Sequence, residues 1–254
     1  MLDLFLPTGV SPLIAILLIA LSFVTSAISA VFGLGGGVAM LGALAGTVQP
    51  SVIVAVHAVI QLGSNLGRTI VQRANVIWPA AARFIAGSVA GVALGAYIFT
   101  ALPERLFLGL LGAFILLMAW SPKPKVPGLE RSGLILGGIV SSFATMFVGA
   151  TGPFVNAVLL SLGLEKKQLI ATHAMCMTVQ HALKALAFGL IGFSFRDWLP
   201  LIAAMIASGF AGTLLGSKIL DRMSERTFSV ILKGLLTVIG LDLLRKALGI
   251  PYPF

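Results

Sequence analysis

The sequence predicts an all-α polytopic membrane protein composed of two homologous halves, and three observations support this prediction. Hydrophobic residues make up 58% of the 254 residues and charged residues only 10%, with a mean hydropathy of +1.07. So few polar residues cannot cover a water-soluble globule of this size. Three apolar segments are long enough to span a bilayer as helices, since about 20 residues cross its hydrocarbon core: Pro12 to Phe32, Ile77 to Phe99 and Trp198 to Leu220. The third observation is a polar motif that occurs twice.

The repeated motif divides the chain into two halves of similar pattern. An offset of 116 residues pairs His57 with His173 and Arg68 with Lys184, and after five inserted residues the offset becomes 121. We therefore predict a duplication. Its parts are a first repeat, a basic and proline-rich linker and a second repeat, at 1–121, 122–131 and 132–254.

Each half is expected to contain five apolar elements, of which the second is too short to span a membrane alone. The ten elements are predicted at 12–32, 36–47, 51–72, 77–100, 105–121, 132–148, 153–163, 167–189, 197–220 and 226–247. A glycine-rich turn precedes each short element and would break the helix within the membrane, where irregular backbone must be buried in protein or line a polar cavity. Duplicated halves with broken helices at matching positions are typical of secondary transporters with a central site.

The orientation of the halves depends on whether the short elements cross the membrane. If they cross, the halves are inverted and the basic residues divide eleven to five, with Lys233 inside a helix; if they are re-entrant, the halves are parallel and the division is ten to six. The positive-inside rule favours the first division. We therefore expect inverted halves with both termini outside and the linker in the cytoplasm. Met1 to Thr8 lack the basic region of a secretory signal, so no cleaved leader is expected.

Two glycine-rich turns are candidates for binding an anion. They read Gly33-Leu34-Gly35-Gly36-Gly37 and Gly149-Ala150-Thr151-Gly152-Pro153. A turn that leads into a helix start presents backbone N–H groups and the positive end of the helix dipole, which suit a small anion. The alternative is that these glycines only let helices pack closely, the role that we favour for Gly87, Gly91 and Gly95.

Two polar stripes on apolar helices carry all three histidines of the protein. The first stripe has the spacing i, i+4, i+7, i+8 and i+11, which places its side chains on one helical face; the stripes consist of His57, Gln61, Ser64, Asn65 and Arg68, and of His173, Met177, Gln180, His181 and Lys184. Histidines in such helices should face the bundle interior, to bind an oxyanion, carry a proton or tie helices together. Arg68 and Lys184 either attract anions or extend to the lipid head groups.

These patterns predict one central site formed by both halves. The substrate-binding candidates are Gly35, Gly36, Gly37, His57, Gln61, Asn65, Gly149, Thr151, Gly152, Pro153, Asn156, His173, Gln180 and His181, with Arg68 and Lys184 as anion-attracting residues. No Gly-x-Ser-x-Gly, His-Glu-x-x-His or Walker lysine loop occurs, so we expect no enzyme activity and no cofactor. A coupling ion or proton, or a partner protein, would then drive transport.

The net charge of +9 is not evidence for nucleic-acid binding, because the basic residues lie in short loops and at helix ends, where they contact anionic lipids. The single cysteine, Cys176, excludes an internal disulfide and a Cys-rich metal site. Two alternatives to an anion site stay open. A soft-metal permease would require Met175, Cys176 and His173 to lie close together, although packing is the favoured role of this segment. A membrane scaffold would use the stripes only to join helices.

The duplicated plan, the two glycine turns and the sequence Ala171-Thr172-His173-Ala174 together resemble the sulfite exporter TauE/SafE family over nearly the whole chain. The resemblance implies a permease of the bacterial inner membrane that moves small sulfur-containing anions, such as sulfite, sulfoacetate or related organosulfonates, commonly outward. Gly149, Gly152 and Pro153 match the family's second turn, and the resemblance implies substrate contact there. The expected partners are a small anion and membrane lipids; assembly into a homo-oligomer stays open.

Overall fold

The structure, a computed structural model, describes residues 6–32, 35–99, 103–120, 131–220 and 225–251. Within these ranges the chain is helical and contains no strand. Ten α-helices follow one another as α1 Pro12–Phe32, α2 Gly36–Thr47, α3 Pro50–Gln72, α4 Trp78–Phe99, α5 Glu104–Trp120, α6 Arg131–Val148, α7 Gly152–Leu160, α8 Lys166–Leu190, α9 Leu199–Leu220 and α10 Glu225–Ala247. The predicted all-α class is therefore confirmed, and so are the ten elements.

The bounds of α1 and α2 agree with the predicted ones, and the ends of the other helices differ by at most three residues. The largest difference is at α7, which ends at Leu160 instead of residue 163. The reason is a tight turn: Gly163 has a φ of 63° and its N–H donates to the carbonyl oxygen of Leu160. Residues Gly33 and Leu34 of the first glycine turn, and residues 122–130 of the predicted linker, lie outside the described residues, whereas Arg131 begins α6.

Three helices of the described chain are long and apolar enough to cross a membrane, at Pro12–Ala30, Trp78–Phe99 and Arg196–Leu215. They expose large apolar side chains on their outer faces; Leu13 and Tyr97 are examples. Apolar surface on this scale is expected where a helix faces lipid instead of water.

Helices α1, α3 and α9 run in the same direction; along α3 and α9, for example, Gly63 approaches Ile206 and Gly67 approaches Phe210. Ser26 of α1 lies 3.0 Å from Ser64 of α3, and Arg68, further along α3, donates to the carbonyl oxygen of Ser29 at 2.8 Å. Helices α6 and α8 are also parallel. Ser142 contacts Gln180, and Thr145, further along α6, contacts Lys184, further along α8. Because α1 and α3 are parallel, the short helix α2 between them must return the chain to the end of the bundle where α1 began.

Helices at corresponding positions of the two halves, as matched by the offsets of 116 and 121 residues, run antiparallel to each other. In α5 and α10, Gly109 approaches Ala247 and Trp120 donates to Thr237. In α3 and α8, His57 contacts His181, whereas the later Thr69 contacts the earlier Thr178. If the two halves are inverted, their equivalent helices must run antiparallel, as these pairs do. The homology of the two halves itself stays a prediction.

Small residues allow α4 and α6 to approach closely. A Cβ atom built on Gly87 or Gly91 would lie 2.0 or 2.2 Å from the carbonyl oxygen of Ile135 or Ile139. These distances are far below van der Waals contact, so no side chain fits between the two helices. The predicted packing role of this glycine series is confirmed, and the tight α4–α6 pair forms part of the scaffold around the centre.

Gly91→Ala is expected to destabilise the protein, because the added methyl group would force α4 and α6 apart. Overpacking of this kind costs about 1–3 kcal/mol. The measurement is thermal unfolding in detergent. Gly234→Ala is the matched control, since Gly234 is an exposed helical glycine with no atom near a built Cβ, and its alanine variant should be at least as stable as the parent. Equal stability of the two variants would contradict the packing role.

Candidate functional site

A cavity lies between α3, α8 and the first turns of α2 and α7. Its volume is about 30 Å³, and since a water molecule needs about 10–15 Å³ by this measure, it has room for two or three water-sized groups. The lining residues are Ser29, Gly35, Gly37, Val38, His57, Gln61, Asn65, Arg68, Ala150, Gly152, Pro153, His173, Met177 and His181.

Corresponding positions of the two polar stripes face each other across this cavity. The stripe on α3 contributes His57, Gln61 and Asn65, and the stripe on α8 contributes His173, Met177 and His181 at the positions that an offset of 116 pairs with them. The spacing i, i+4, i+8 turns these side chains to the same side of each helix, and the crossing of α3 and α8 brings the two sides together. The cavity is therefore a joint product of both halves.

Two histidine rings are held in equivalent ways by the starts of the short helices. The Nε2 atom of His57 lies 2.9 Å from the carbonyl oxygen of Gly37, and Nε2 of His173 lies 3.0 Å from that of Gly152. A carbonyl oxygen only accepts, so each Nε2 carries the hydrogen and donates it. The Nδ1 atoms of both rings are buried and have no hydrogen-bond partner among the described residues. Each neutral ring can therefore accept a hydrogen bond or a proton from a ligand at Nδ1.

His181 completes the group of rings at the cavity. Its ring is edge-on to that of His57, with 5.7 Å between the centroids, and its buried Nδ1 has no partner in the described part of the chain. Three imidazoles with available nitrogen atoms in one small cavity can exchange hydrogen bonds, or protons, with whatever enters it.

Arg68 supplies the positive charge of the cavity wall. Its side chain is only 3% exposed, and it donates to the carbonyl oxygen of Ser29 at 2.8 Å and to the side-chain oxygen of Asn65. None of the fourteen lining residues is Asp or Glu. The electrostatic field inside the cavity therefore favours an anion over a cation.

The start of α2 adds backbone donors to the same wall. Gly35 has a φ of 99° and precedes the helix, and no side chain caps it. The N–H groups of the first turn, including those of the lining residues Gly37 and Val38, have no acceptor within the helix. The start of α7 offers fewer donors, because Pro153 has no N–H and Phe154 donates to the carbonyl oxygen of Thr151.

Behind the cavity wall, a second polar cluster ties α6, α8 and the second glycine turn together. Gln180 accepts from Thr151 at 3.1 Å and donates to the hydroxyl groups of Ser141 and Ser142. Lys184, fully buried, donates to the carbonyl oxygen of Gly149 at 2.8 Å. These side chains point away from the cavity.

The structure thus brings ten of the sixteen predicted site residues to the cavity: Gly35, Gly37, His57, Gln61, Asn65, Arg68, Gly152, Pro153, His173 and His181. The other six do not line it: Gly36, Gly149, Thr151, Asn156, Gln180 and Lys184. Gly36 packs instead against α1, where a Cβ would lie 1.9 Å from the carbonyl oxygen of Thr25.

Four lining residues were not among the predicted ones: Ser29, Val38, Ala150 and Met177. Ser29 had a signal in the sequence, because Ser22, Thr25, Ser26 and Ser29 follow the helical spacing i, i+3, i+4, i+7 on α1. Such a polar face inside an apolar helix indicates contact with the bundle interior.

Two alternative roles considered for the stripes do not fit the structure. Arg68 and Lys184 are buried, at 3% and 0% exposure, so neither extends to the lipid head groups. The soft-metal site required Met175, Cys176 and His173 to meet, but Cys176 is buried in an apolar cluster against which Met175 packs, and neither lines the cavity. Among the described residues no three His, Cys, Asp or Glu side chains are grouped so that they could hold one metal ion.

A comparison with protein families gives one match. The model of the sulfite exporter TauE/SafE family matches residues 18–243, which include all ten helices apart from the first turns of α1 and the last turn of α10. Neither curated proteins nor solved structures give a match to the chain.

Gln180→Leu is expected to destabilise the protein, because it leaves the hydroxyl groups of Thr151, Ser141 and Ser142 without their shared partner. Leaving a buried polar group unpaired costs about 1–3 kcal/mol. Thermal unfolding measures the effect, and Gln49→Leu, the same substitution at an exposed position, should be nearly neutral. A Gln180→Leu protein as stable as this control would show that the cluster does not hold the turn.

Proposed function

The chain belongs to the sulfite exporter TauE/SafE family of membrane transporters, and on this premise we propose that it exports a small sulfur-containing oxyanion such as sulfite or an organosulfonate. The observation that carries the proposal is the composition of the cavity wall. One guanidinium, three imidazoles and backbone N–H groups line the cavity, and no carboxylate does. The guanidinium and the backbone N–H groups can donate to the oxygen atoms of a sulfite or sulfonate group, and Nδ1 of His57 or His173 can do so once that ring is protonated.

The proposed anion position lies between Arg68 and the two histidines held by the short helices. Arg68 would donate charge-assisted hydrogen bonds to the anion, and the N–H groups at the start of α2 would contribute the positive end of the helix dipole. Gln61 and Asn65 are the neutral donors on the same helix. On the facing side Met177 presents a polarisable thioether, so the wall is suited to an anion whose charged oxygen atoms face α3.

The proposed mechanism is alternating access around this cavity. The cavity has room for only two or three water-sized groups, which suits an occluded state between two open ones. Inverted halves can exchange their conformations, so that the site opens first to one side and then to the other. No helix needs to unfold for this, because the glycine turns before α2 and α7 can serve as hinges.

The orientation follows from the charges at the two ends of the bundle. Because α3 and α8 are antiparallel, the end of α3 and the start of α8 lie at the same end, together with Arg73, Lys166 and Lys167. We propose that this basic end faces the cytoplasm of a bacterium, that the protein is a multi-pass protein of the inner membrane, and that both termini are outside.

The anion site predicts that sulfur oxyanions stabilise the purified protein. At a concentration of 100 times Kd a ligand adds about 2.7 kcal/mol by mass action. The measurement is thermal unfolding with sulfite, thiosulfate, sulfoacetate, taurine, sulfate, phosphate, carboxylates and divalent metals in turn. We expect a shift with a sulfur oxyanion that Arg68→Gln abolishes and Arg73→Gln retains, since Arg73 is exposed just beyond the same helix.

The other outcomes of this panel decide against the proposal. A shift with metals alone would indicate a cation site in spite of the guanidinium. An unfolding temperature that no solute changes would indicate a membrane scaffold whose polar stripes only join helices.

A coupling role for protons would use the available Nδ1 atoms of His57 and His173. Histidine is the side chain that titrates near neutral pH, so we expect flux to depend on pH in the parent and to lose that dependence in His57→Ala and His173→Ala. Methanesulfonate is the appropriate solute, because its own charge is constant between about pH 5 and 8, the range in which histidine titrates. Arg73→Gln should keep the parental profile, and an unchanged profile in both histidine variants would exclude the role.

A further inference from the structure

Two buried cations lie on α3 and α8, each displaced along its own helix from the centre of its polar stripe. Arg68 follows Gln61 by seven residues on α3, and Lys184 follows Met177 by seven residues on α8. At 1.5 Å per residue the Cα atom of each cation lies about 10 Å along its helix from the centre of its stripe. Since α3 and α8 are antiparallel, Arg68 lies towards the basic end of the bundle and Lys184 towards the other end.

The two cations have different surroundings in this structure. Arg68 lines the cavity. Lys184 is fully buried beside it, behind the turn that contains Ala150, and its ammonium group donates to the carbonyl oxygen of Gly149 at 2.8 Å and to the hydroxyl of Thr145 at 3.4 Å. An ammonium group has three N–H donors, so one of them has no partner among the described residues. Both partners are neutral.

A buried ammonium held only by neutral oxygen atoms is costly inside a membrane protein. An anion would be a better partner than a carbonyl group, because charge-assisted hydrogen bonds to an oxyanion are about twice as strong as neutral ones. The carbonyl in question belongs to Gly149, whose φ is 78°. Glycine has no Cβ to restrict its rotation, so this peptide group can turn away from Lys184 once its carbonyl also gives up the hydrogen bond that the Thr145 hydroxyl donates to it at 3.1 Å.

We propose that Lys184 is the second anion-binding cation of the transport cycle, and that it binds the anion when the cavity opens towards the end opposite to Arg68. This inference rests on the proposed function and specifies the path within it. In the state described here, Lys184 donates to the Gly149 carbonyl, while Arg68 lines the cavity. In the opposite state, the turn after α6 releases Lys184, which takes over the anion. The exchange follows from inverted halves that swap conformations.

The competing role of Lys184 is purely structural. The lysine would then fasten the second glycine turn to α8 in every state, as Gln180 does through Thr151. The two roles differ in one consequence. A carrier lysine becomes accessible to water from one face of the membrane during the cycle, whereas a structural lysine never does.

Thiol accessibility distinguishes these roles. Lys184→Cys and Arg68→Cys are made in a Cys176→Ser background, since Cys176 is the single native thiol and does not line the cavity. A membrane-impermeant maleimide is added to one face or the other of oriented vesicles. We expect Lys184→Cys to react at least tenfold faster from the face opposite the basic end, and Arg68→Cys to react faster from the basic face.

Two results would overturn the proposal: a Lys184→Cys thiol that is unreactive from both faces, or one that reacts from the same face as Arg68→Cys. If Lys184→Cys does not fold, Thr145→Cys reports the same position while keeping the lysine, because the Thr145 hydroxyl accepts from Lys184. The same two results apply to it.

Flux measurements separate this inference from the proposed function. The Cys176→Ser parent must carry sulfite in vesicles, and its failure would count against the proposed function whatever the labelling shows. With an active parent, Lys184→Met should reduce flux at least tenfold, while Lys184→Arg, which keeps the cation, should retain a substantial fraction. Full flux in Lys184→Met would overturn the role of Lys184 alone.

Discussion

Pairing of polar groups inside an apolar bundle is the constraint on which this structure depends. Lipid offers no hydrogen bonds, so each buried polar side chain must bond to the backbone, to another polar side chain or to a group in a cavity. The hydroxyl groups on α1 meet the stripe on α3, and those on α6 meet the stripe on α8, as in the pairs Ser26 with Ser64 and Ser142 with Gln180. These pairs fix the rotation of α3 and α8. That rotation in turn directs the histidines of both helices into one shared cavity.

The short helices connect this packing to the site. Each begins beside the cavity, and the carbonyl oxygen of Gly37 or Gly152 in its first turn holds the Nε2 hydrogen of a histidine. The remaining ring nitrogens are left for a ligand. A broken helix thus serves two purposes here, since it orients an imidazole and exposes the positive end of a helix dipole. Neither is available from a helix that crosses the membrane without interruption.

The sequence was sufficient for the helices and for most of the central site, because both follow from short-range patterns. Segment length and hydropathy define the ten helices, and the spacing i, i+4, i+8 and i+11 identifies the lining residues of α3. The sequence was not sufficient where the direction that a residue faces depends on a neighbouring helix. Gly36 packs against α1, and Gln180 and Lys184 turn towards α6, because partners that the local pattern does not specify lie there. Ser29 belongs to a polar face of α1 that the sequence does show, but the sequence does not specify which helix that face meets.

Counterflow of radiolabelled sulfite in proteoliposomes tests whether this cavity carries a sulfur oxyanion between the two faces of the membrane. Vesicles are loaded with unlabelled sulfite and diluted into a trace of labelled sulfite outside. A carrier with one alternating site releases unlabelled sulfite outside and then returns to the inside with labelled sulfite bound. We therefore expect a transient accumulation of label inside the vesicles above its equilibrium level. Accumulation should be absent from vesicles without protein and should be competed by excess external sulfite. Uptake no greater than in protein-free vesicles would contradict the claim that this cavity carries a sulfur oxyanion.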